Sequence, residues 1–326
     1  MNRREGLAVL AASFAGVRLD AFAQTAQPVR RIAYLASVTA EADRERFAEF
    51  RRALRGFGYT EGQNVIIDSR HEVDVARLAD LASELLRLKP DLIVALATPA
   101  TVAARNATRQ VPIVFSGVGD PVAFGLVTSL SRPGGNVTGV ANIVSDLAGK
   151  RLELLKELLP RLALIGVLFE PQTPVSVLQW EASEQAAPAM GVRLHAMRIE
   201  SADAYEAAFA EASAAGVSAV AASLSPVARS HSARIARLAL QHRMPSVYAH
   251  TQFVEDAGLM SYGASFASEG TALARLVQRI FAGAQPAELP VEQPTKFELV
   301  INMKTARHFG LTVPRSLLLR ADRLID

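Results

Sequence analysis

The chain alternates between two periodicities, and that alternation restricts it to a small set of folds. Residues 31–37, R-I-A-Y-L-A-S, form a short continuous apolar run, the mark of a strand covered on both faces. Residues 43–57 follow with Phe47, Phe50, Leu54 and Phe57 spaced by three and four, which predicts a helix with one apolar stripe. The pattern returns as strands over 64–69, 91–97 and 111–116 and helices over 73–88 and 101–108. Strand, helix, strand with short connections is the βαβ unit of a parallel sheet.

A second set begins after Gly139. Helices are predicted over 146–159, 174–190, 202–214 and 226–242, with strands over 163–169, 192–197 and 217–222. The remainder, 244–326, is too short and too interrupted by Pro286, Pro290, Pro294 and Pro314 for a third domain. It is expected to supply a strand over 258–263 near a hinge, a helix over 268–282 packed back on the first half, and a strand over 295–302. The fold class read from this is α/β, two Rossmann-like lobes with parallel sheets joined by a multi-crossing hinge. The expected division is 30–140 plus 264–290 for one lobe and 141–263 plus 291–326 for the other. Hinges of this kind open and close as a unit around a small ligand.

Residues 1–23 carry Arg3 and Arg4, an apolar run from Leu7 to Val17, and Ala21-Phe22-Ala23 before Gln24. That order is an export signal with a small-x-small cleavage site, and the run is too short for a membrane span. A cleaved signal and a periplasmic location are expected, and the Arg pair admits the twin-arginine route. Loss of Arg3, Arg4, Arg18, Glu5 and Asp20 lowers the formal charge from +3 to +2, too mild for nucleic-acid binding. The chain has no Cys, which excludes disulfides and thiolate metal sites.

Parallel sheets bind ligands at strand carboxyl ends, so candidate contacts follow from position. In the first lobe these are Ala36, Ser37, Thr98, Pro99, Ala100, Gly119 and Asp120. Thr98 is expected just before a helix, where free amides and its hydroxyl suit a carboxylate. Asp120, in the loop S-G-V-G-D-P, reads either as the partner of a ligand ammonium group or as a helix N-cap over Val122 and Ala123. In the second lobe the positions are Asn142, Glu170, Ser223, Ser225, Tyr262 and Gly263. Tyr262 offers an aromatic face, with half-buried packing as its plainer reading; Glu170 has a solvent-facing alternative. Trp180 reads as packing.

Enzyme signatures are missing. Residues 37–46 hold no Gly where a dinucleotide fingerprint needs it, and no phosphate loop, His-Glu-x-x-His or nucleophile elbow occurs. No cofactor or metal is implied. An exported racemase would need two acid/base groups on one cleft, for which Asp120 and Glu170 are the candidates. The effector-sensing domain of a regulator shares the two-lobe plan, but an export signal stands where a DNA-reading helix pair would be.

The segment 112–139, the string Lys150 to Lys156 (K-R-L-E-L-L-K) and the tail 293–314 (Q-P-T-K-F-E-L-V-I-N-M-K-T-A-R-H-F-G-L-T-V-P) resemble the ABC-transporter substrate-binding proteins of the tryptophan/tyrosine-binding-like family. The resemblance runs from about Arg31 to the end. It implies a type I periplasmic-binding fold of two lobes with three crossings and delivery of a small solute, which differs widely within the family, to ABC permease subunits. The expectation for this chain is a non-enzymatic, monomeric carrier of a small-molecule solute such as an amino acid or an aromatic or organic acid.

Overall fold

The computed structural model describes residues 29–141, 146–223, 225–294 and 296–326. The export-signal segment 1–23 and Asn142 lie outside the described residues.

The first sheet contains β1 (Arg30–Ala36), β2 (Val65–His71), β3 (Leu92–Leu96), β4 (Ile113–Val118) and β5 (Val137–Ala141), ordered β2-β1-β3-β4-β5. Every pair in it is parallel. β3 and β5 are buried at every residue, which is why their sequences are apolar without alternation. The connecting helices are α1 (Ala40–Gly56), α2 (Leu78–Arg87) and α3 (Ala97–Ala107). Thr39 caps α1 by accepting from the Ala42 N–H at 3.2 Å, and Glu41 and Asp43 occupy its positive first turn. Phe50 and Leu54 are buried as the stripe requires, whereas Phe57 falls past the helix end and is exposed.

No helix joins β4 to β5. Residues 119–136 form successive turns, which corrects the reading of Asp120 as a helix N-cap. Gly125 adopts φ +62°, the Leu126 N–H returns to the Pro121 carbonyl, and Thr128 binds back to Arg132 and Pro133. The loop satisfies its own backbone while burying Leu126 and Val127.

The second set runs α4 (Asp146–Leu158), β6 (Leu164–Phe169), α5 (Pro174–Ala186), β7 (Arg193–Arg198), α6 (Tyr205–Ala214), β8 (Ala219–Ala222), α7 (Pro226–Ser230), α8 (Ser232–Gln241), β9 (Ser246–Tyr248), α9 (Thr251–Glu255) and β10 (Met260–Ala264). Then come α10 (Phe266–Phe281), β11 (Phe297–Asn302), α11 (Met303–His308), α12 (Arg315–Arg320) and β12 (Arg323–Ile325). The sheet order is β12-β11-β10-β9-β8-β6-β7, parallel except between β10 and β11. The helix expected over 226–242 is broken at His231, where φ is −117°, into α7 and α8.

α10 leaves the second sheet and packs on α1, burying Leu273, Leu276 and Val277 against Phe50 and Leu54. Gly270 allows the close approach, because a Cβ there would stand 3.0 Å from the Phe50 backbone nitrogen. The chain therefore passes between the sheets after β5, after β10 and before β11. Two of these passages lie side by side: the Glu292 N–H donates to the Gly139 carbonyl at 2.9 Å, and the Ala141 N–H donates to the Glu292 carbonyl at 2.8 Å.

Candidate ligand-binding cleft

Parallel pairing brings the carboxyl ends of β1, β3 and β4 to one edge of the first lobe, and those of β6, β8, β9 and β10 to one edge of the second. The edges meet where α7 touches α1: Arg229 Nη2 donates to the Ala42 carbonyl at 2.7 Å, and the Thr39 N–H donates to Ser230 Oγ at 3.3 Å.

On the first edge Ala36 is fully buried, and Ser37 directs both its N–H and its Oγ to the Leu96 carbonyl at 3.2 and 3.3 Å. Thr98 does not stand before a helix, which corrects the sequence expectation: α3 starts at Ala97 and Thr98 lies inside its first turn. The early start puts Ala97 at φ +66°, a conformation costly for a residue with a Cβ. Thr98 Oγ1 is buried and, among the described residues, has no hydrogen-bond partner. Pro99 and Ala100 complete that turn, with Ala100 fully buried. Gly119 is half-buried and Asp120 exposed. Asp120 Oδ1 accepts from the N–H groups of Val122 and Ala123 at 3.0 and 2.9 Å, so it caps a turn rather than a helix.

On the second edge Glu170 does not face solvent: it is buried, and its carboxylate is enclosed by donors. Oε1 accepts from Ser225 Oγ at 2.5 Å and from the Ala228 N–H at 3.1 Å, while Oε2 accepts from Thr173 Oγ1 at 3.0 Å. Burial pushes its carboxyl up from the usual range, and these hydrogen bonds oppose the shift. Ser223 Oγ donates to the Leu168 carbonyl at 2.8 Å and lies 2.7 Å from Ser176 Oγ. Ser176 Oγ also accepts from the Glu170 N–H at 2.9 Å, so Glu170, Ser223 and Ser225 form one cluster. Tyr262 lies in mid-strand rather than at a strand end, half-buried with its ring 6.2 Å from that of Phe297. Gly263 is a packing position, since a Cβ there would fall 2.0 Å from the Ala249 carbonyl oxygen. Trp180 stacks on Phe169 at 5.1 Å.

Beneath the first edge runs an ion network not foreseen from sequence. Arg46 Nη1 lies 3.2 Å from Glu269 Oε2 and its Nε 3.5 Å from Asp43 Oδ1. Tyr34 Oη donates to Asp43 Oδ2 at 2.7 Å, His71 Nε2 lies 3.2 Å from the same oxygen, and Ser116 Oγ donates to Glu269 at 2.9 Å. Burial and the Asp43 charge hold the Tyr34 phenol well above its usual value. Arg229 enters this network from the other lobe; burial, and then the charge of Arg46, lower its guanidinium to about 9. One signal was available: Ala42, Arg46 and Phe50 share a helix face at spacings of four, which places a charge on the buried stripe.

Among the described residues no group of three or more His, Asp or Glu is placed to hold a metal ion, and no helix is long and apolar enough to cross a membrane.

Residues 31–325 match the family described as ABC transporter substrate binding protein. The chain belongs to that family, whose members bind solutes and are not enzymes. A tyrosine-binding protein of Clostridioides difficile (strain R20291) is 28% identical over 259 residues, 79% of this chain and 74% of the relative. A conserved domain protein of Vibrio cholerae superposes with TM-score 0.85 at 28% identity, covering 91% of this chain and 99% of the other. An ABC domain from Streptococcus pneumonia in complex with L-Trp gives TM-score 0.84 at 27% identity over the same shares. The two-lobed architecture is that of type I periplasmic-binding proteins.

Proposed function

We propose that this protein is the exported solute-binding component of an ABC importer, which closes its lobes on an amino acid or a small aromatic or organic acid and delivers it to permease subunits. The observation that carries the reading is the pair of facing strand-end edges. Free amides of α3 and the unpartnered Thr98 hydroxyl lie on one edge, and the loops that the Glu170–Ser225–Ser223 cluster holds in place lie on the other. Relatives that bind tyrosine or L-Trp support an amino-acid class of solute. In this reading residues 1–23 are a cleaved signal, the mature chain acts as a monomer in the periplasm, and the lobes divide at the three hinge passages. Asp120 pairs with a solute ammonium group through the carboxylate oxygen left over from capping.

A thermal-shift and calorimetric screen of amino acids, aromatic acids and other small acids tests this on the mature chain. A saturable hit is expected, weakened at least tenfold by Asp120→Ala with the fold retained, about the loss for one charge-assisted pair. Turnover of the bound solute would overturn the carrier reading, and undiminished affinity in the variant would leave Asp120 with capping alone.

A further inference from the structure

α7 has only five residues, yet its last two make the contacts to the other lobe. Arg229 is 6% exposed, donates to the Ala42 carbonyl, and lies in the field of Asp43 and Glu269. Ser230 accepts from the Thr39 N–H while donating its own proton to the Pro226 carbonyl at 3.0 Å. A helix this short cannot hold its direction alone. Glu170 holds it, because its carboxylate at the end of β6 binds both Ser225, the residue before α7, and the Ala228 N–H within it. Ser225 Oγ also accepts from that N–H at 2.8 Å.

We propose that Arg229 is a latch that holds the two lobes together without touching solute, and that Glu170 is the positioning residue that aims it. The second lobe thereby grips a backbone carbonyl of α1, while the buried acids Asp43 and Glu269 oppose part of the cost that burial and the like charge of Arg46 place on the guanidinium. The proposal rests on the reading that the lobes open and close around a solute.

The test uses spin labels at Arg55→Cys on α1 and Arg237→Cys on α8, both exposed; the chain has no native Cys, so labelling is specific. Interlobe distances are measured without solute. A short-distance population is expected, and Arg229→Ala should lower the closed-to-open ratio about tenfold, the order set by one lost hydrogen bond to a charged group. Glu170→Gln should move the ratio the same way by less, and Arg229→Lys should restore part of it. Circular dichroism melting confirms that each variant folds. A parent chain with no short-distance population, or a folded Arg229→Ala with unchanged distances, overturns the latch. Because no solute is present, failure of every compound in the binding screen leaves this result readable, and a normal solute affinity beside unresponsive distances sinks the latch alone.

Discussion

Arg46 on α1 and Glu269 on α10 meet at 3.2 Å with only 2% and 3% of their side chains exposed. α10 follows the second passage between lobes, so the pair ties the returning helix to the first lobe by charge as well as by Leu273 and Val277. Removing one partner of a buried pair strands the other's charge. Glu269→Ala should therefore lose about 3–5 kcal/mol of unfolding free energy in urea, also stranding the Ser116 hydroxyl. A loss under about 1 kcal/mol would show that Asp43 alone satisfies Arg46.

Thr98→Val separates ligand contact from fold. The hydroxyl is buried without a partner, so its replacement by a methyl group should leave stability unchanged or raise it by about 1 kcal/mol. Solute affinity should fall roughly tenfold if the hydroxyl binds a solute carboxylate. Calorimetry beside a urea titration reads both; unchanged affinity removes Thr98 from the site.

Ala97→Gly should relieve the left-handed backbone at the start of α3 and raise stability by about 0.5–1 kcal/mol, since glycine adopts φ +66° without a Cβ clash. A lower urea midpoint in the glycine variant would contradict this.

His250 supplies a pH dependence of known sign. Burial, followed by the charges of Arg229 and Arg46, holds its imidazole well below the usual value. The unfolded chain takes up a proton near pH 6.5 and the folded one does so only at lower pH, so the unfolded state binds more protons in that window. The contribution is complete above about pH 6.5 and is lost on acidification, at up to about 1.4 kcal/mol per unit, until the folded imidazole protonates. His250 Nδ1 accepts from the Gln252 N–H at 3.2 Å at the start of α9, and Asn can keep that cap. His250→Asn should flatten the stability profile between pH 6.5 and 5 relative to the parent; identical profiles would refute the assignment.

What could be read in the sequence was what local periodicity encodes. β1, β3, β6 and α10 emerged close to their observed bounds because each is long enough to show its own pattern of burial. β9 and β12, of three residues, and α9, α11 and α12, of five or six residues and so under two helical turns, are too short to do so, and neighbouring strands rather than propensity hold them in place. Asp120 reads as a helix N-cap where the structure has a turn cap, because Asp-Pro signals a helix start and a self-bonded loop equally well.

By itself the sequence determined that this chain folds as two α/β lobes with binding loops at strand carboxyl ends, since alternating periods and turn residues leave few other solutions. Only the tertiary structure decided which of those residues are available to a solute. It committed Glu170 and Ser225 to holding α7, packed Gly263 against the Ala249 carbonyl, and left Thr98 unsatisfied among the described residues. It also brought Arg46, Glu269 and Arg229, from three distant parts of the chain, into one buried network. Burial and hydrogen-bond satisfaction are properties of the assembled neighbourhood, and no spacing along the chain encodes them.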